Sequence, residues 1–192
     1  QKQLSEQYML TKNGFEGYDE RASFSHSMTM KKEGIETKVS GSVQDYNSFS
    51  MKDMIDQLNE QFDSLQEPKK LEKGKIPVIM RPQALLQWIG YLGWTLQQRE
   101  ADDGINPYSG QLGKQFFGEK FSLYSSINNP LVSAPLFHRN GLPTKNTDWI
   151  KNGVIKNMQR DRYYARQKKI EPAMMFNTII DGGNTTEKEM MK

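Results

Sequence analysis

From Ala22 the chain alternates: Ala22, Phe24, His26, Met28 and Met30 fall on one side, and Ser23, Ser25, Ser27 and Thr29 on the other. A period of two belongs to a strand with one face buried and the other in water. Turns bracket it, the pair Asn13-Gly14 before and Lys32-Glu33-Gly34 after. Tyr8-Met9-Leu10 runs into the first pair, and Ile35, Thr37, Val39, Gly41 and Val43 continue at alternate positions beyond the second. The pattern predicts a three-stranded antiparallel meander whose register is set by the two turns.

The period then changes. Ser50-Met-Lys-Asp53 is a helix-start signal, with Ser50 placed to accept a backbone N–H and an acid three residues on. Met54, Ile55, Leu58, Phe62 and Leu65 form the apolar stripe of that helix, and Asp53, Asp56, Glu60 and Asp63 its polar side. Residues 67–75 are charged and closed by Gly74, as a linker or loop would be. Ile76-Pro-Val-Ile-Met80 is expected to form a short buried or edge strand, and Pro82 opens a second helix at its first turn. From Gln83 to Gln98 that helix is apolar nearly all round, which predicts burial. Gly90 and Gly93 are expected to let another backbone approach.

Gly, Asn, Pro and Ser make a loop of residues 102–113. Alternation resumes from Glu119 to Tyr124, an irregular stretch spans Leu131 to Asn140, and Met174 to Ile180 is the last predicted strand. Between them lies the strongest local signal. Asn152-Gly153 separates Trp149-Ile150 from Val154-Ile155, so Thr147 to Met158 reads as a β-hairpin, entered through Gly141-Leu-Pro-Thr144. Arg160, Arg162 and Arg166 alternate with Tyr163, Tyr164 and Ala165 on its exit. The fold class is thus α+β: mainly antiparallel sheet, in a meander and hairpins, with two helices, one of them buried. Residues 1–66 form one region, 67–75 the connection, and 76–192 a C-terminal α+β region that joins the first in a single domain if the connection is only a surface loop.

Composition narrows the chemistry. The 192 residues include 26 Lys and Arg against 23 Asp and Glu, a net charge of +3 that is too small and too dispersed to point to nucleic acid. There is no cysteine, which removes disulfides, zinc thiolates and a cysteine nucleophile. No apolar run reaches membrane-spanning length. The start at Gln1, without a charged-then-apolar leader, and the polar end read as an excised piece of a longer, cytoplasmic protein.

Candidate reactive groups are few. His26 falls on the apolar face of its strand, and His138 sits beside Arg139 with no nearby carboxylate to orient it. Asp102 and Asp103 lack the alternating ligands of a calcium loop. Asp148 and Asp161 flank the hairpin, where salt bridges to Lys156, Arg160 or Arg162 would account for them. Gly110-Gln-Leu-Gly113 is too short to cradle a phosphate, and no serine sits in a nucleophile elbow. Arg160, Arg162 and Arg166 with two tyrosines could contact phosphate or bases, but packing of the hairpin exit accounts for them as well.

Gly141-Leu-Pro-Thr-Lys145, Ile150-Lys-Asn-Gly-Val-Ile-Lys156 and Asp161-Arg-Tyr-Tyr-Ala-Arg166 resemble the C-terminal region of the TldD/PmbA family, metalloprotease-related proteins also described as modulators of DNA gyrase. Asn13-Gly-Phe-Glu16 with the serine-rich strand resembles the family's middle region. Gly74 to Met80 is similar to the strand before its central helix, and Gly110 to Phe117 to the run after it. In the zinc peptidases of the family that helix carries His-Glu-x-x-x-His, two ligands and a general base. Here it reads Leu85-Leu-Gln-Trp-Ile-Gly-Tyr-Leu92, and the cysteine ligand of such enzymes is also missing. Ser125-Ser126 and His138-Arg-Asn-Gly141 stand where many relatives have acids.

The resemblance therefore implies the PmbA/TldE half of the family, with no catalytic residue, no metal ligand and no cofactor of its own. Its implied partners are a TldD-like metal-bearing homologue in a heterodimeric peptidase and an extended peptide whose binding residues are not named; a second copy of the chain is a further candidate. No membrane is implied. Two other classes remain in view: an active metallopeptidase or hydrolase using His26, His138 and a carboxylate, and a gyrase- or nucleic-acid-directed binder using Arg160, Arg162 and Arg166.

Overall fold

The computed structural model describes residues 1–65 and 70–191, so residues 67–69 of the expected connection lie outside the described residues. The chain divides into two units, Gln1–Lys75 with Pro130–Ser133, and Ile76–Asn129 with Ala134–Lys192.

In the first unit, strands β1 (Lys2–Leu10), β2 (Glu16–Lys32) and β3 (Ile35–Val43) form the antiparallel meander in the order β1-β2-β3. The second turn is tight because Glu33 and Gly34 both take positive φ, 51° and 83°. β1 pairs with Glu16–Phe24 and β3 with Phe24–Lys32, so the long middle strand carries one neighbour on each half. Helix α1 (Met51–Asp63) starts at Ser50, whose hydroxyl accepts the Asp53 N–H at 3.2 Å. Of its predicted stripe Met54 and Leu58 are buried, packing with Val39, Met28, Met30 and Phe49, while Ile55 and Leu65 are exposed. The sheet is narrow, and α1 can press only one ridge of side chains against it.

The second unit is built on an antiparallel sheet in the order β6-β5-β4-β7, with β4 (Leu123–Ser125), β5 (Thr147–Lys151), β6 (Val154–Ile155) and β7 (Ile179–Ile180). Helices α2 (Pro82–Thr95), α3 (Gln98–Asp102), α4 (Arg162–Lys168) and α5 (Glu187–Met190) complete it. Leu96, Leu123, Trp149, Ile150, Ile155 and Met158 are the centre of its core. The α+β class with mainly antiparallel sheet holds, but five helices, not two, occur among the described residues.

The burial expected of the second helix is corrected. α2 places Ile89 and Leu92 in the core, whereas Leu86, Trp88, Tyr91 and Trp94 remain 64%, 65%, 65% and 72% exposed. One small sheet covers one side of a helix, and this helix is apolar on more than one. Gly93 admits a side chain rather than a backbone, with Met175 Sδ at 3.2 Å from a built Cβ, and Gly90 has no close neighbour among the described residues. Ile76–Met80 forms no strand; no other strand lies ready to pair with it, and Pro77 lacks a donor. The strands expected over 119–124 and 174–180 shrink to β4 and β7, although Phe121 and Leu123 do share the core side.

Candidate functional site

The Asn-Gly turn between β5 and β6 forms as its sequence requires. Asn152 and Gly153 take φ of 48° and 79°, the left-handed pair of a two-residue hairpin loop. Gly153 meets a second demand, because residues 113–121 wrap the turn. The Phe116 and Phe117 N–H groups both donate to its carbonyl at 3.0 Å, and its own N–H donates to the Phe121 carbonyl at 2.7 Å. A Cβ at this position would lie 2.3 Å from the Phe117 carbonyl oxygen and 2.7 Å from that of Gly118. The Gly110–Gly113 loop belongs to the same wrapping, with the Gly113 N–H donating to the Ile155 carbonyl at 2.8 Å.

Two further segments flank the hairpin. The stretch expected to be irregular contains a tight turn: the Gly141 N–H donates to the His138 carbonyl and the His138 N–H to the Leu142 carbonyl, both at 2.8 Å. On the other side Arg160 and Ala173 exchange two backbone hydrogen bonds, 2.8 and 3.0 Å, which lays residues 171–174 beside the hairpin exit. The three segments enclose an open groove of about 850 Å³, to which His138, Lys145, Asp148, Lys156, Arg160 and Glu171 contribute. Its charged residues come from separate segments of the chain. In the sequence Lys145 stands out only as part of the Gly141–Lys145 run and Glu171 not at all, since no spacing signal joins positions drawn from separate loops.

The charges in this groove are unevenly matched. Lys145 Nζ lies 3.2 Å from Glu171 and Lys151 Nζ 3.2 Å from Asp148, both pairs well exposed. Arg160 makes no ion pair among the described residues. Its Nε donates to the Glu171 carbonyl, and its Nη1 to Gln98 Oε1 at 3.1 Å and to the Met158 carbonyl at 3.0 Å. Burial lowers its pKa, opposed by the Glu171 charge. His138 is half-buried, edge-on to Phe176 at 6.1 Å between ring centroids. Burial pulls its pKa below the ordinary histidine value, and a hydrogen bond to the Met174 backbone opposes this.

The other candidates have structural partners. His26, in the first unit, sits between Phe24 and Phe49, with ring centroids at 6.0 and 4.8 Å. Its Nδ1 is buried without a partner among the described residues. Asp102 accepts the Tyr164 hydroxyl at 2.5 Å and lies 3.5 Å from Lys168 Nζ; Asp103 lies 3.9 Å from Arg99. Asp148 pairs with Lys151 rather than with Lys156 or an arginine. Asp161 is no ion-pair partner but the N-cap of α4, accepting the Tyr164 N–H at 2.7 Å. The basic and aromatic exit is therefore a helix, which buries Tyr164 and Ala165 and exposes Tyr163. Arg162 Nη1 donates to the Asn140 carbonyl at 2.8 Å, and Arg166 is exposed.

Zinc does not fit the central helix. The polar side chains of α2 are Gln83, Gln87, Tyr91 and Thr95, none an imidazole, carboxylate or thiolate. Among the described residues no group of three or more His, Asp or Glu is placed to share a metal ion. No helix of the described residues is long and apolar enough to cross a membrane.

Residues 73–192 match the model of the PmbA/TldA metallopeptidase C-terminal domain. No curated protein matches the chain significantly. Among solved structures, a Thermotoga maritima protein named as a candidate modulator of a DNA gyrase shares the fold at a TM-score of 0.84 and 18% identity, covering 100% of this chain and 47% of its own. TldE from Thermococcus kodakarensis does so at 0.82 and 17%, covering 98% and 47%. A Bacteroides thetaiotaomicron protein, also named as a candidate gyrase modulator, does so at 0.71 and 19%, covering 92% and 42%. The chain thus spans about half the length of these relatives, and the likeness to them is one of fold. With the family model matched over more than half of its residues, in the order the hairpin and the central helix led one to expect, the chain belongs to the PmbA/TldD family.

Proposed function

We propose that this chain is the non-catalytic partner of a metal-bearing, TldD-type homologue, and that it helps to hold an extended peptide for hydrolysis by that homologue. The observation that carries the reading is the solvated face of α2. Leu86, Trp88, Tyr91 and Trp94 are all exposed there, on an arc of about 200° at 100° per residue. Four large exposed apolar side chains on one helix, interrupted only by Gln83, Gln87 and Thr95, mark a protein contact. It lies on the helix in which active members of the family are expected to hold metal, and that helix has no ligand here. For the peptide, β2 offers main-chain groups: Gly17–Ser23 lacks a neighbour on the β3 side and Ser27–Lys32 on the β1 side among the described strands.

The test is to mix the protein with a family member that has an intact His-Glu-x-x-x-His helix and to follow elution by size exclusion. Joint elution, lost on Trp88→Glu with Trp94→Glu, is the expected result; separate elution of the two wild-type chains overturns the proposal. A nucleic-acid reading has less support, because Arg162 donates to the Asn140 carbonyl and Arg160 lies in a groove it shares with Asp148 and Glu171. The hydrolase reading lacks, among the described residues, a carboxylate hydrogen-bonded to either histidine.

A further inference from the structure

The groove between the His138 turn, the hairpin and residues 171–174 carries an unbalanced charge. Four cations, Lys145, Lys151, Lys156 and Arg160, line it against two carboxylates, Asp148 and Glu171. The two lysine–carboxylate pairs are exposed, and such pairs contribute little. Lys156 makes no ion pair among the described residues. Arg160 is more telling. Its guanidinium is drawn into the protein, where a charge normally finds a counter-charge, yet its partners are two carbonyls and an amide. Its Nη2 has no hydrogen bond among the described residues.

We infer that this groove is an anion site for a carboxylate of the bound peptide, an acidic side chain or a free C-terminus, received by Arg160 and Lys156. A planar guanidinium with a free terminal nitrogen and a mobile ammonium beside it suit a carboxylate. The volume falls within the range of ligand pockets. A nucleic acid suits it less. Among the described lining residues the one ring is the His138 imidazole, already edge-on to Phe176, and Asp148 and Glu171 would face a run of phosphates. The inference rests on the peptide-holding half of the proposed function and is independent of the surface on α2.

The experiment is fluorescence anisotropy on the full chain with short labelled peptides of glycine and serine in three forms, glutamates with an amidated end, glutamines with a free end and glutamines with an amidated end, and with a labelled oligothymidylate as control. Binding of either carboxylate-bearing peptide, weakened about tenfold by Lys156→Glu, is the expected result. Which of the two binds tells the side chain from the terminus. Arg160→Lys keeps a positive charge at the buried position and is expected to weaken binding too, with circular dichroism confirming the fold. Equal binding of the neutral peptide, oligothymidylate binding with the same sensitivity to Lys156→Glu, or no peptide binding overturns the inference. Capture of the metal-bearing homologue is read separately, so loss of peptide binding with capture intact defeats the groove alone.

Discussion

The indole N–H of Trp149 donates to the Ser125 hydroxyl at 2.8 Å, and that hydroxyl donates in turn to the Asn177 carbonyl. Trp149 and Ser125 are both shut off from water. One hydroxyl therefore ties β5 to β4 and to the segment ahead of β7. Ser125→Ala leaves the indole N–H without an acceptor in a dry core, a loss of about 1–3 kcal/mol. A lower denaturant midpoint with an unchanged slope is the expected measurement.

Gly153 is held by both conformation and space. Gly153→Ala puts a side chain at positive φ and against two carbonyl oxygens, so a loss of about 3 kcal/mol or more is expected. Asn152→Gly, which keeps the turn geometry available, is expected to change stability by about 1 kcal/mol or less. Denaturant unfolding of the two variants side by side checks the contrast.

The two sides of α2 should respond oppositely to substitution. Leu92→Ala removes core volume and is expected to cost about 2–5 kcal/mol. Trp88→Gln, on the solvated side, is expected to alter the stability of the isolated chain by about 0.5 kcal/mol or less. Thermal melts of both variants test this, and a comparable loss from Trp88→Gln would mean that the exposed arc is packed within the chain itself.

His138 should titrate below its ordinary value of 6.5, because burial disfavours the imidazolium. The unfolded chain then binds more protons than the folded one just below that pH, so this residue's contribution to stability is complete above the unfolded value and fades as pH falls toward the folded one. An NMR titration, with the resonance assigned by its disappearance in His138→Asn, is expected to give a midpoint under 6.5.

Sequence reasoning reached what local chemistry decides. Period-two alternation from Ala22 and the turns Asn13-Gly14, Lys32-Glu33-Gly34 and Asn152-Gly153 point to their hairpins because glycine and asparagine are among the few residues that readily accept the positive φ such turns need. It missed α4, whose start depends on Asp161 acting as a cap instead of an ion-pair partner. It placed α2 in the interior because an apolar side chain says that water is avoided, not which surface replaces it. Ile76–Met80 has strand-like residues but no neighbour to pair with, and a strand exists only in a sheet. The groove was least legible. Arg160 could be placed at the hairpin exit, but its want of a counter-ion emerges only once His138, Lys156 and Glu171 are brought around it by tertiary structure.

Phe24 faces β1 through Lys2 and β3 through Val43, and beside it Ser25 exchanges backbone hydrogen bonds with Gln1 while facing Ser42, so the three segments of the meander stand abreast only over this short overlap. The hairpin that ends at Asn13-Gly14 is consequently an arm, joined to the α1-covered portion through the short overlap at Phe24 and Ser25. Residues added or removed in matched pairs near its tip would leave every side chain on its own face and the α1 contacts untouched. The arm's reach can thus vary while the body that carries it stays the same.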